Sequence, residues 1–126
     1  MTGAPDPRQA PAGSGPAAAP PPVLIVTAAV PSDADATRIA ETVVAERLAA
    51  CAQVQGPILS TYRWHGEVNQ ATEWYVHCKT ISSRVQELTD RIRSLHPYEM
   101  PEIIATAVIG GHQPYLRWVE DSIRGA

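Results

Sequence analysis

The side chains with most chemistry to offer gather in one short segment, His96-Pro97-Tyr98-Glu99-Met100-Pro101-Glu102. Its imidazole and two carboxylates, His96, Glu99 and Glu102, are nitrogen and oxygen donors that suit Zn²⁺, Cu²⁺ or a similar divalent cation. Pro97 and Pro101 restrict the backbone between them. The spacing is not that of a closed metal motif, so other ligands would have to come from a neighbouring chain. The competing reading is structural: His96 and Tyr98 hydrogen-bond and pack a helix-to-strand turn. Cys51 and Cys78 do not make a disulfide framework and fit a reducing cytoplasm as small buried residues. His77 and Cys78 are neighbours in an extended segment, so they point to opposite faces and cannot chelate one ion together. His65 and His112 fall in turn-like segments and read as solvated. No catalytic residue is assigned, because G-x-S-x-G, Walker A, H-E-x-x-H and C-x-x-C are all absent. The chain reads as a non-enzyme.

Bulk composition narrows the classes further. A chain of 126 residues predicts one domain. Residues 1–22 hold seven prolines and few large apolar side chains, which predicts a disordered tail and leaves 23–126 as the folded domain. Ten basic against thirteen acidic residues give a formal charge of −3, which argues against a nucleic-acid surface. No apolar run approaches the roughly 18 residues that a membrane helix needs.

The elements that must position these groups follow from periodicity. Val23 to Val30 is a continuous apolar run, as in a central strand. Pro31-Ser32-Asp33 stops it and offers an N-cap to a helix over about 34–50, with Ile39, Ala40, Val43, Val44 and Leu48 on its apolar face and Arg47 in its last turn. Residues 51–64 and 67–80 read as two long strands joined by a His65-Gly66 turn, the first interrupted at Gln55-Gly56-Pro57 by a bulge or an edge position. Ser83 and Gln86 fit a capping box ahead of a helix striped by Val85, Leu88, Ile92 and Leu95. Residues 103–109 read as another buried strand, and Pro114 opens a last helix with Tyr115, Leu116, Val119 and Ile123 inward. The order β-α-β-β-α-β plus a helix predicts an α+β, ferredoxin-like split βαβ fold, with an antiparallel sheet and both main helices on one face.

The hairpin implies partners. Strands of about 14 residues run roughly 45 Å at ~3.3 Å per residue. A domain of this size spans about 33 Å, so the ribbon overhangs by about 10 Å. Its free edges and its Tyr62, Trp64, Trp74 and Tyr75 favour self-association.

Several segments together resemble the CutA family of divalent-cation tolerance proteins. They are Glu46-Arg47-Leu48-Ala49-Ala50-Cys51, Tyr62-Arg63-Trp64-His65-Gly66-Glu67, Lys79-Thr80, His96 through Ile104, and Tyr115-Leu116-x-Trp118. The resemblance spans essentially residues 23–124. It implies a homotrimer similar in architecture to the PII signalling proteins, and a link to tolerance of copper and other divalent cations. It implies no organic cofactor and no established reaction. Some members have a copper-associated cysteine near the end of the first strand; here that stretch is Thr27-Ala28-Ala29. Within such a trimer, Trp64, Glu67, Lys79, Tyr98 and Trp118 are candidates to line a cleft between subunits. The alternative function is therefore a PII-like sensor or scaffold binding a small molecule or a protein there.

Overall fold

A computed structural model describes residues 22–125, so the tail expected over 1–22 lies outside the described residues except for Pro22. Strand β1 (Val23–Val30) leads through helix α1 (Asp33–Ala45) to the long strands β2 (Cys51–Trp64) and β3 (Glu67–Ile81). A 3₁₀ turn (Ser82–Arg84) precedes α2 (Val85–Leu95), β4 (Ile103–Ala107) and α3 (Gln113–Arg124). The sheet order is β2-β3-β1-β4, with every neighbouring pair antiparallel. This is the expected split βαβ arrangement.

Alternation along the strands decides which side chains reach the helices. Val26, Ala28 and Val30 of β1, with Val76 and Cys78 of β3, are buried against Ala36, Ile39 and Val43 of α1 and Leu88 and Ile92 of α2. Burying one such Val, Leu or Ile contributes about 1.5–3 kcal/mol. A smaller cluster seats Leu116, Val119 and Ile123 of α3 on Val23 and Ile81, at one end of the sheet.

Local chemistry explains most boundaries and several departures from expectation. Ser32 caps α1 by accepting a bond from the Asp35 N–H at 3.0 Å. The helix ends at Ala45, earlier than periodicity suggested. Arg47 takes a left-handed φ of 59°; its N–H donates to Val44 O at 3.1 Å, and the Leu48 N–H donates to Val43 O at 2.9 Å. That is a Schellman stop with arginine where glycine is usual, so Arg47 lies outside the last turn and Val44 stays exposed. The capping box at Ser83 does not form. The 3₁₀ turn instead lets the Val85 N–H bond Ser82 O, and no side chain caps α2. Strand β4 stops at Ala107 and is mostly exposed, because it is a sheet edge paired only with β1. Tyr115 is also exposed rather than inward.

The hairpin forms as expected around His65 and Gly66, both with positive φ (50° and 78°), which suits a two-residue turn. The ladder slips between Gln55 and Ile58. Gly56 there lies against the Trp74 indole, where a Cβ would sit 2.7 Å from Trp74 Cγ. Trp74 packs on the helix-side core, so it is not one of the ribbon's free aromatics. Strand β1 follows β3 only as far as the Val30–Trp74 pair, whereas β2 continues to Trp64–Glu67. Residues 67–73 of β3 therefore have β2 as their one strand neighbour. At ~3.3 Å per residue that ribbon is about 23 Å long, twice the expected overhang.

Candidate functional site

The segment after α2 is pinned to the end of β1. Pro97 biases His96 towards extended backbone, and its ψ of 134° ends the helix. The His96 ring then folds inward: Nε2–H donates to Ala29 O at 2.7 Å, and the Tyr98 N–H donates to Nδ1 at 3.1 Å. This pair of partners requires the neutral imidazole with its proton on Nε2. The Ala29 N–H donates in turn to Glu102 O at 3.4 Å, so one residue of β1 holds both ends of the loop. Tyr98 reaches across to β3, where its hydroxyl donates to Glu73 Oε2 at 2.8 Å. Glu73 is only 7% exposed. Burial, then the adjacent Glu73 carboxylate, push the Tyr98 phenol well above the usual tyrosine range.

Glu99 and Glu102 are exposed. They do not join His96 in a ligand set, since both of its ring nitrogens are already engaged. Among the described residues no three His, Cys, Asp or Glu side chains converge where one ion could sit. The described residues of one chain thus supply no closed metal centre, and their donors do not fit a resident metal without additional ligands.

What the loop and ribbon do form is a groove of about 940 Å³. Ile58, Tyr62, Trp64, Glu73 and Tyr75 line it from the strands, and Tyr98, Glu99, Met100 and Glu102 from the loop. A shallower depression of about 500 Å³ lies beside α2. Both of its arginines are paired, Arg91 with Glu46 at 2.9 Å and Arg84 with Glu87 at 3.1 Å.

The sheet face away from α1 and α2 carries a polar chain. The Thr27 hydroxyl donates to His77 Nδ1 at 3.0 Å, and His77 Nε2–H donates to Gln55 Oε1 at 2.8 Å. Burial first, and Lys79 second, lower the His77 pKa, which favours this neutral arrangement. Thr27, in the Thr27-Ala28-Ala29 stretch that the resemblance sets against a copper-associated cysteine, is thus committed to a histidine. Lys79 Nζ donates to Gln53 Oε1. Cys78 is fully buried on the helix side, and burial pushes its thiol up to about 12. Cys51 pairs across from Lys79 and therefore points to the opposite face, so the two free thiols do not meet. His65 and His112 are exposed in their turns.

The five cleft candidates are not brought together within one chain. Trp64 and Tyr98 share the groove. Glu67 sits at the ribbon tip, twelve residues along β3 from Lys79, which is about 40 Å of strand. Trp118 lies on α3, stacked near Tyr115 with ring centroids 5.5 Å apart. Sequence reasoning missed Glu73, a lone carboxylate in a strand whose burial depends on the loop that crosses it. Nothing in its neighbours signals that contact.

The order and register of the sheet, with two helices on one face, define a ferredoxin-like, PII-like α+β protein. The family model for "CutA1 divalent ion tolerance protein" matches residues 24–122. The chain is 39% identical over 100 residues to the divalent-cation tolerance protein CutA of Thermus thermophilus, covering 79% of this chain and 95% of that one. It is 42% identical over 113 residues to protein CutA of Mus musculus, covering 90% of this chain but 64% of the mouse protein. The crystal structure of CutA from Xylella fastidiosa superposes with a TM-score of 0.79 at 35% identity, covering 81% of this chain and 98% of that one. The chain belongs to the CutA1 divalent ion tolerance family, which is not known as a family of enzymes. Among the described residues no helix is long and apolar enough to cross a membrane.

Proposed function

We propose that this protein is a homotrimer that contributes to metal-ion response by weakly engaging copper or another divalent cation. The observation that carries the reading is the ribbon that outruns β1. It exposes Leu59, Tyr62, Trp64 and Val68, while β2 and β4 leave the sheet with two open edges. A two-stranded ribbon is marginal in water, and pairing with further copies covers both its edges and its apolar side chains. Three copies, rather than two, follow from the family resemblance. Glu99 and Glu102 are the carboxylates free to meet a cation, with a neighbouring copy completing the shell and His96 holding the loop in place. Two free thiols on opposite faces support a reducing compartment such as the cytoplasm.

Sedimentation of the full chain at micromolar concentration is the first test. A species of three times 13.6 kDa is expected, and a stable 13.6 kDa species overturns the reading. Calorimetric titration with Cu²⁺ and Zn²⁺ then separates the metal part. Saturable heat lost in the Glu99→Ala, Glu102→Ala variant supports it; no saturable heat, or unchanged heat, removes it. A second reading, a PII-like sensor binding a small molecule, is favoured by the groove beside Glu73 and Tyr98.

A further inference from the structure

The sheet has two faces, and helices cover only one of them in full. Alternation and register put Ile104, Thr27, His77 and Gln53 in one row across all four strands, on the face away from α1 and α2. Two rows on, Val23 and Ile81 share that face and carry α3, which closes one end of it. In the other direction the same face runs through Tyr75 and Glu73 onto the ribbon, where Tyr62 and Trp64 belong to it. Ile104, Tyr62 and Trp64 are 53%, 44% and 42% exposed. An open face with that much apolar surface, continuous with the unpaired ribbon, is the surface that further copies cover on assembly.

His77 sits in the middle of this face, and its hydrogen bonds describe a neutral ring. Nδ1 accepts from the Thr27 hydroxyl at 3.0 Å, and Nε2–H donates to Gln55 Oε1 at 2.8 Å. A second proton takes away the acceptor that the Thr27 hydroxyl uses and puts a full charge on the ring. The groups around it offer that charge no partner. Ile25 and Thr27 face it from β1, Gln53 and Gln55 from β2, and Tyr75 and Lys79 from β3. Cys51 lies in the Lys79 row with Tyr115 of α3 beside it, and Glu73, four residues along β3, is committed to Tyr98. Lys79 is the one charge among these that acts on the ring, and it opposes a proton there. Burial opposes it more strongly still. A second copy laid over the face removes further water from the ring, so the assembled state resists protonation more than a free chain does.

We propose that protonation of His77 loosens the assembly, which makes the open sheet face a proton-sensitive contact between copies of this chain. The proposal goes beyond the homotrimeric reading and rests on it. Each copy brings its own His77, so separating three copies takes up as many as about three protons. Each proton changes the assembly constant by up to about tenfold per pH unit, and three together by up to about a thousandfold. That range lies between the folded pKa of the free chain, already below 6.5, and its lower value in the assembly.

Subunit exchange tests this. Unlabelled and isotopically labelled full chains are assembled separately, mixed at about pH 7.5 or about pH 5, and sampled by native mass spectrometry for mixed species. Exchange is expected to run about tenfold faster or more at the lower pH. His77→Gln keeps an acceptor for Thr27 and a donor for Gln55 but takes up no proton, so it should lose the acceleration. Lys79→Gln removes the neighbouring cation, lets His77 protonate sooner, and should move the onset to higher pH, a shift that a merely structural ring would not produce. Equal rates at the two pH values (undetectable exchange at both included), slower exchange in acid, acceleration that persists in His77→Gln, or an unmoved onset in Lys79→Gln overturns the proposal. A stable 13.6 kDa species at about pH 7.5 removes the homotrimeric reading itself, and the proposal with it.

Discussion

Replacing Tyr98 with phenylalanine removes one oxygen and tests whether Glu73 is held as the geometry describes. The hydroxyl donates to Glu73 Oε2 at 2.8 Å, and the carboxylate it serves is 7% exposed. A hydrogen bond to an ionised acceptor is worth about 1.5–3 kcal/mol. Tyr98 is itself 36% exposed, so water can enter the space that the hydroxyl leaves and recover part of that loss. About 1–2 kcal/mol of destabilisation is expected after that discount. Urea or guanidinium unfolding measures it as a lower midpoint with an unchanged slope, all variants being compared at one protein concentration because assembly shifts midpoints. The decisive form is a double-mutant cycle with Glu73→Gln, in which directly bonded residues show about 0.5 kcal/mol or more of coupling. A second readout is the phenol titration: in Glu73→Gln the Tyr98 hydroxyl should ionise at lower pH, since part of its upward shift comes from that carboxylate. Tyr98→Phe costing the same in both backgrounds, with no movement of the phenol titration, would refute the pairing.

Stability should also respond to pH through His77. Its folded pKa lies below the usual 6.5 through burial and the nearby Lys79, with Thr27 from β1, Gln55 from β2 and the Tyr75 ring as its other neighbours. The unfolded chain takes up the proton first, so this contribution is complete above 6.5 and declines as pH falls towards the lowered folded value. Unfolding midpoints between about pH 7.5 and about pH 5 should show that decline, and His77→Gln should remove it; a gain in stability on acidification attributable to His77 would contradict the assignment. Thiol chemistry offers a separate check. With Cys78 buried and held at about 12, one thiol per folded chain should react with a thiol reagent near neutral pH, and two after unfolding. Fast native labelling that survives Cys51→Ser would show that Cys78 is not sealed in the core.

How far the sequence could be read depended on the range of the interaction. The apolar run at 23–30, the stripe at Leu88 and Ile92 and the turn at His65-Gly66 are local patterns, and each folds as its pattern predicts. The end of α1 was hidden because Arg47 occupies a left-handed position that glycine would have announced. Residues 103–109 looked like a buried strand from composition alone. Only pairing shows that β4 is an edge, with Ile104 at 53% and Ile109 at 96% exposure. The His96 loop drew attention for its ligand chemistry, but Ala29 and Glu73 decide what its side chains do.

The chain's own pattern of apolar, capping and turn residues determined the order of elements, the long hairpin and the family to which it belongs. Such signals act over a few residues and are written consecutively. Tertiary structure alone decided how far the ribbon outruns β1, that Lys79 and Glu67 lie at opposite ends of β3, and that Glu73 and Tyr98 share a groove. Those outcomes depend on strand register and on contacts between segments dozens of residues apart, where a shift of a single residue turns every side chain to the other face.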